Sequence, residues 1–401
     1  MKELLPVEEA IRRVLDGIVP LEAEAVALSA GLGRVLAAPL AARRSQPPRD
    51  VSAMDGYAVR AADVATLPTK LVVIGTAPAG HPFAGLIGPG ETVRIFTGAV
   101  VPEGADAILL QEDVERLSEA RIAAREIVRP GQHIRRRGLD FEAGAELLPA
   151  GLRLDMRQLA LAAALDHGTL PVRRKPLVAI IATGDELVPP GSGAAEDSIV
   201  ASNSYGIAGL VQSLGGDVRD LGIVADDKEK LAAAIDAATG ADILVTLGGA
   251  SVGDHDFAQE VLTARGMELG FWRIAMRPGK PLIYGRLGAM RVLGLPGNPV
   301  SSLVCSLLFL RPLVEAMLGL APVEPLVRAR LGGPLRANDS RQDYLRANIA
   351  VAADGTRIAT PFERQDSSML STFAKAGCLI VRPPHAQAAI AGDPCDVIIL
   401  P

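Results

Sequence analysis

The chain has 401 residues, 41 Lys and Arg against 46 Asp and Glu, and a formal charge of −5, which excludes a broad nucleic-acid footprint as the default reading but leaves room for a local basic patch. Its 41 glycines and 29 prolines stay below the share found in low-complexity chains, and an aromatic content of 3% leaves few platforms for stacking single strands. Two to four domains fit the length at about 100–200 residues each, and a small, polar, phosphate-bearing ligand fits the composition better than a flat hydrophobic one.

The first nine residues mix acids with apolar residues and lack the basic-then-apolar plan of a secretory signal. An amphipathic helix is predicted over residues 6–18, where Val7, Ala10, Ile11, Val14, Leu15 and Ile18 follow the helical period and Pro6 suits a first turn. Residues 45–140 change to short apolar runs punctuated by Gly and Pro, the pattern of a small β domain. A helix returns near residues 155–165, flanked by Gly151 and Gly168. This helix is expected to pack with the opening one, making the first domain discontinuous (1–44 and 141–175) and the β domain (45–140) an insertion.

From residue 176 strand-like and helix-like segments alternate, which predicts a parallel sheet with helices on its faces over 176–321. The strands fall at 177–182, 218–224, 243–247, 282–284 and 292–295. The helices fall at 205–214, 228–238 and 258–264, with a long one from 299 to about 318. The most apolar stretch, 301–310, ends at Arg311 and Pro312, short of the ~20 residues a membrane span needs. Pro322 and Pro325 mark a linker, and residues 326–401 read as a second small β domain. Three cysteines with no Cys-x-x-Cys pair indicate neither a disulfide framework nor a thiolate zinc site, so a soluble, cytoplasmic protein is expected.

Ligands of open α/β sheets gather beyond the carboxyl ends of the strands. Three loops stand there: Thr183-Gly184-Asp185-Glu186, the run from Gly248 and Gly249 through Ser251 and Gly253 to Asp256, and Pro296-Gly297-Asn298-Pro299. The glycines permit close backbone approach to an anion, and Asn298-Pro299 reads as an N-cap and first turn whose positive helix end suits phosphate. Residues 249–253 also match the Gly-x-Ser-x-Gly elbow of α/β-hydrolases, but the acid-then-histidine candidates that such a site needs, Asp339 or Asp366 with His385, put the histidine beyond the linker. Gly279-Lys280 is not a P-loop, because Pro281 replaces the magnesium-binding hydroxyl residue. Arg273, Arg277 and Lys280 form instead a cationic cluster suited to an oxyanion. In the inserted domain, Asp55 within 52–58 and the triplet Arg135-Arg136-Arg137 before Asp140 carry the charge. The five histidines lack metal-ligand spacing.

Seven segments in order resemble the signatures of the molybdopterin molybdenumtransferase family, that is, MoeA-type proteins and gephyrin E-domain relatives. They are SAMDGYAVR (52–60), RIFTGAVVPEGADA (94–107), RRRGLD (135–140), TGDEL (183–187), GGASVGDHD (248–256), RPGKP (277–281) and LPGNPVS (295–301). The resemblance implies an α/β multidomain fold: a parallel-sheet molybdopterin-binding domain, an inserted small β domain, an elongated discontinuous N-terminal domain and a C-terminal β domain. It implies insertion of molybdate into adenylylated molybdopterin with release of AMP, aided by Mg2+. It also implies a homodimer with a site shared between subunits, with the molybdopterin adenylyltransferase and recipient molybdoenzymes as further partners.

By motif match, Asp55, Thr97, Asp140, Glu186 and Asp256 are the catalytic positions, with Asp55, Glu186 and Asp256 toward the metal. Arg135, Arg273, Arg277 and Lys280 form the anion-binding set, and Arg341, Arg346 and Ser367 are added from the last domain. Two departures stand out: Arg273 where lysine is common, and Leu139 where an acid is frequent. A non-catalytic pterin-binding scaffold and an adenylyltransferase-like enzyme are the alternatives.

Overall fold

The computed structural model describes residues 4–193, 195–249, 257–322 and 326–400. The chain forms two compact units, one of Met1–Glu24, Gly33–Ala37 and Val172–Pro401 and one of Ala25–Leu32 and Ala38–Pro171.

The first unit is built on a six-stranded sheet in the order Asp217–Val224, Leu177–Thr183, Ile243–Leu247, Met290–Leu295, Ile283–Leu287, Glu268–Trp272. Leu177–Thr183 shows why it lies at depth. Val178, Ile180 and Ala182 enter one core while Ala179 and Ile181 enter the other, so its near-continuous apolar run serves both faces. Helices Asn203–Ser213 and Pro299–Cys305 contribute Ile207, Val211, Val300 and Val304 to the first face. Helices Lys228–Ala237 and Ala258–Ala264 cover the second with Leu231, Ile235, Val261 and Leu262.

The expectation of a parallel sheet holds for four strands; Ile283–Leu287 runs antiparallel to Met290–Leu295, and Glu268–Trp272, a strand the pattern does not predict, pairs antiparallel with Ile283–Leu287. Only Gly288 and Ala289 separate Ile283–Leu287 from Met290–Leu295, and a two-residue connection can close only a hairpin. The opening helix, Val7–Leu15, is corrected too. Its Val7, Ala10 and Val14 join the core of the α/β sheet, and Tyr284 and Arg291 donate to the carbonyls of Val14, Asp16 and Gly17 at its end. The helix Met156–Ala164, its expected partner, belongs to the other unit.

The long helix spans Pro299–Met317 but opens into a π turn at Ser306–Leu310. Pro312 supplies no N–H and its ring crowds the carbonyl four residues earlier, so the regular ladder cannot pass through. This helix is long and apolar enough to cross a membrane, yet 67% of the span is buried in the protein, which accounts for its apolarity.

Strands Leu326–Leu331, Gln342–Val351, Arg357–Pro361, Cys378–Arg382 and Pro394–Ile399 close on themselves, because Gln342–Val351 pairs with both Arg357–Pro361 and Cys378–Arg382. The result is a five-stranded barrel filled by small residues, among them Ala329, Ala347, Ala359, Cys378 and Cys395. Closure removes the sheet's edges. All three cysteines are free and buried, and burial pushes the Cys378 thiol up to about 11.

The second unit carries a six-stranded sheet in the order Ala107–Leu110, Gly56–Val59, Glu91–Ile95, Thr69–Ala77, Arg121–Ala124, Val114–Ser118, as the short apolar runs predict. Helix Met156–Ala164 starts at a full capping box: the Asp155 carboxylate accepts from the N–H groups of Arg157 and Gln158, and Gln158 reaches back to the Asp155 N–H.

Candidate functional site

Register brings the expected loops together. Thr183 lies opposite Val224, Ala182 opposite Leu247, and Leu247 opposite Leu295, so the four parallel strands end at one level. Beyond them lies a cavity of about 690 Å³ lined by all three predicted loops through Thr183, Gly184, Glu186, Gly248, Gly249 and Pro296–Pro299. Gly248 is required by geometry: its φ is +92°, and a Cβ there would stand 2.7 Å from the Thr183 carbonyl oxygen.

The loop Pro296–Pro299 is held from several directions. Asn203 Nδ2 donates to the Gly297 carbonyl at 2.7 Å, and the buried Ser302 hydroxyl donates to the Pro296 carbonyl at 2.7 Å. Asn298 occupies the N-cap position, but its side chain makes no capping bond, contrary to expectation. Its Nδ2 donates to Ser367 Oγ at 3.0 Å, and the Ser367 carbonyl accepts the Val300 N–H at 3.1 Å, so a residue from the loop after strand Arg357–Pro361 caps the helix. Ser367 is therefore placed beside the cavity, as its neighbour Ser368 is on the lining.

Sequence reasoning missed Ser202, Asn203, Asp226 and Ser368 on this lining. Asp226 follows strand Asp217–Val224, so the same strand-end rule was available for it. Glu186 and Asp226 are two acidic residues on the cavity lining. Among the described residues no group of three or more Asp, Glu, His or Cys gathers to hold a metal unaided. Magnesium, which is usually bound through one or two carboxylates with the rest from water and phosphate, suits that donor set. Asp256, Ser251 and Gly253 lie outside the described residues.

The cationic cluster divides. Arg273 has a left-handed backbone (φ 72°), and its guanidinium stacks over the Trp272 ring at 4.1 Å. Lys280 is exposed and adjoins Pro281 of the cavity wall. Arg277 instead forms a two-pronged ion pair with Asp343, at 2.9 and 2.5 Å, and its strand Met276–Arg277 adds to the barrel. Arg341 pairs with Asp339 at 2.8 Å, which helps hold that carboxyl down to about 2. Arg346 is 1% exposed, sealed from solvent, with its Nε unpartnered among the described residues; burial lowers its pKa.

The second unit gathers its own set. Strand Val51–Ser52 pairs with Ile134–Arg135, and the Ser52 carbonyl accepts the Gly98 N–H, which draws Asp55, Thr97 and Arg135 into one neighbourhood. Thr97 donates to Asp55 through its backbone N–H and its hydroxyl, and these bonds hold the Asp55 carboxyl below the usual range. Asp50 accepts from the Arg137 N–H and the Arg136 guanidinium, fixing the triplet's turn, and the Asp140 N–H donates to Gln46. Leu139 stands 64% exposed.

Comparison with known proteins adds three family matches: the MoeA N-terminal region (domain I and II) over residues 5–165, a probable molybdopterin binding domain over 179–316, and the MoeA C-terminal region (domain IV) over 328–400. A molybdopterin molybdenumtransferase of Nostoc sp. is 35% identical over 94% of this chain and 88% of its own length. One from Haemophilus influenzae is 34% identical over 97% of each. A crystal structure of a molybdopterin biosynthesis MoeA protein from Pyrococcus horikosii superposes with a TM-score of 0.87 at 32% identity, covering 99% of both chains.

Proposed function

The chain belongs to the molybdopterin molybdenumtransferase family, and we propose that it inserts molybdate into adenylylated molybdopterin, releasing AMP and molybdenum cofactor. The observation that carries this reading is the meeting of three strand-end loops and the start of the long helix at one cavity bearing Glu186 and Asp226. Backbone of Gly248, Gly249 and 296–298 meets the phosphate-bearing ligand, with the positive end of the helix toward its charge. Arg273 and Lys280 hold the molybdate oxyanion. The sulfur ligands come from the pterin, in keeping with three cysteines that are all buried.

Mg2+, when bound, neutralises phosphate charge; Glu186 and Asp226 would hold it, with Asp256 and Asp55 named by motif. Asp55, Thr97, Arg135 and Asp140 form a second charged set, which a second copy of the chain brings to the reaction in a homodimer. Arg341 and Arg277 serve this reading through their ion pairs, which order the strand and loop they sit on. The molybdopterin adenylyltransferase is the natural supplier of substrate and apo-molybdoenzymes the natural recipients. Work in the cytoplasm fits the free thiols.

Matches over 5–165 and 328–400 disfavour a single-domain adenylyltransferase-like enzyme, and the carboxylates present in the cavity disfavour an inert scaffold. The test is incubation of the protein with adenylylated molybdopterin, molybdate and magnesium. Molybdate-dependent AMP release is expected, and its absence overturns the reading.

A further inference from the structure

Trp272 is the chain's only tryptophan, and it ends the strand Glu268–Trp272 partly exposed. The next residue, Arg273, takes φ 72°, a region that a side chain with a Cβ rarely adopts. Such a conformation persists only where its surroundings over-determine it. Here they do so from both sides. The Arg273 N–H donates to the Leu282 carbonyl and the Ile274 N–H to the Lys280 carbonyl, which closes the loop that carries Lys280 and Pro281. The reversed backbone is accompanied by the guanidinium lying over the indole, 4.1 Å from the ring centre. A planar guanidinium stacks on an aromatic face in a way that a lysine ammonium cannot, and stacking leaves its N–H edge for an oxyanion.

We propose that Trp272 is a positioning residue for the molybdate oxyanion: it acts through Arg273, holding the guanidinium flat so that its forked donors and the nearby Lys280 meet the anion ready-made. This inference rests on the transferase reading. Arginine above tryptophan uses the stack, which a lysine in its place would forgo.

The experiment is a double-mutant cycle on the full chain, reading KM for molybdate and kcat separately in Trp272→Leu, Trp272→Phe, Arg273→Met and the double variant Trp272→Leu/Arg273→Met. Trp272→Leu is expected to raise KM for molybdate about fivefold, the scale of a partly exposed cation–π contact, with kcat within about twofold. Trp272→Phe, which keeps an aromatic face, should recover most of that loss. The double variant should be no worse than Arg273→Met alone, since Trp272 has nothing left to position. An unchanged KM in Trp272→Leu, or losses that simply add, overturns the proposal.

Tryptophan emission decides the matter independently of turnover. With molybdate alone, the wild-type signal should change saturably and the Arg273→Met signal should not. A wild type that releases no AMP but keeps this response removes the transferase reading and leaves the Trp272–Arg273 oxyanion site standing. A wild type that turns over with no emission response removes the stacked site and leaves the transferase.

Discussion

Asp55 and Thr97, 42 positions apart, meet through a single oxygen: Asp55 Oδ1 accepts the Thr97 backbone N–H and the Thr97 hydroxyl, each at 2.7 Å. Both bonds favour the ionised carboxylate, so its pKa is depressed. The sign follows. A depressed carboxyl supports the folded, charged form above its ordinary pKa, and that support fades as pH falls through the folded-state value. Thr97→Val removes the hydroxyl and keeps the backbone bond. The acid limb of the pH–rate profile should move to higher pH, with activity lost first in mildly acidic buffer. An acid limb that stays in place would show that Asp55 does not control it.

Gly248→Ala should damage the cavity directly. The new methyl would sit 2.7 Å from the Thr183 carbonyl oxygen at a φ of +92°, so the cost is about 1–3 kcal/mol of stability, from strain at a left-handed position. Adenylylated pterin should bind more weakly in equilibrium titration, and the melting temperature should fall. Unaltered binding would place the ligand elsewhere.

Arg277 has its donors on Asp343, whose side chain is 9% exposed, while Arg277 itself is 45% exposed. Arg277→Met would leave that carboxylate buried and unpaired, a loss of about 1–3 kcal/mol once solvent screening of the exposed partner is allowed for. Chemical denaturation should show the loss, and Asp343→Asn in the same background should restore part of it. A variant of normal stability that fails only in molybdate affinity would return Arg277 to the anion-binding set.

The homodimer is tested by complementation. Asp55→Ala and Glu186→Ala chains, each nearly inactive, are mixed under conditions of subunit exchange. If the two charged sets act together across subunits, each mixed dimer carries one intact site, and activity should recover toward about half of wild type. A mixture no better than its parents, with exchange confirmed by mass, would show that each subunit works with its own set.

What the sequence makes legible is local. Strand 243–247 and helix 258–264 are read to the residue, because apolar period and Gly punctuation coincide there. The strand-end loops follow from the same pattern, and their meeting follows from parallel register. Long-range partners are not legible. Asn298 reads as a self-sufficient cap, yet its contact is Ser367, 69 positions later. Likewise Arg277 reads as part of an oxyanion-binding cluster, and its partner Asp343 comes only 66 positions later. The opening helix declares an apolar face but not which core receives it, and short β runs do not announce closure into a barrel. Asp226 obeys the same strand-end rule, but in the sequence it stands among the acids that precede helix Lys228–Ala237.

The central claim is that molybdate insertion and AMP release are one reaction at the strand-end cavity. The direct measurement follows AMP by chromatography and pterin-bound molybdenum by mass spectrometry in the same single turnover, for wild type and Glu186→Gln. The account predicts one molybdenum incorporated per AMP released, and both steps slowed in parallel in Glu186→Gln while pterin binding persists. AMP released without molybdenum incorporation, or at a rate indifferent to molybdate and to Glu186→Gln, would contradict it.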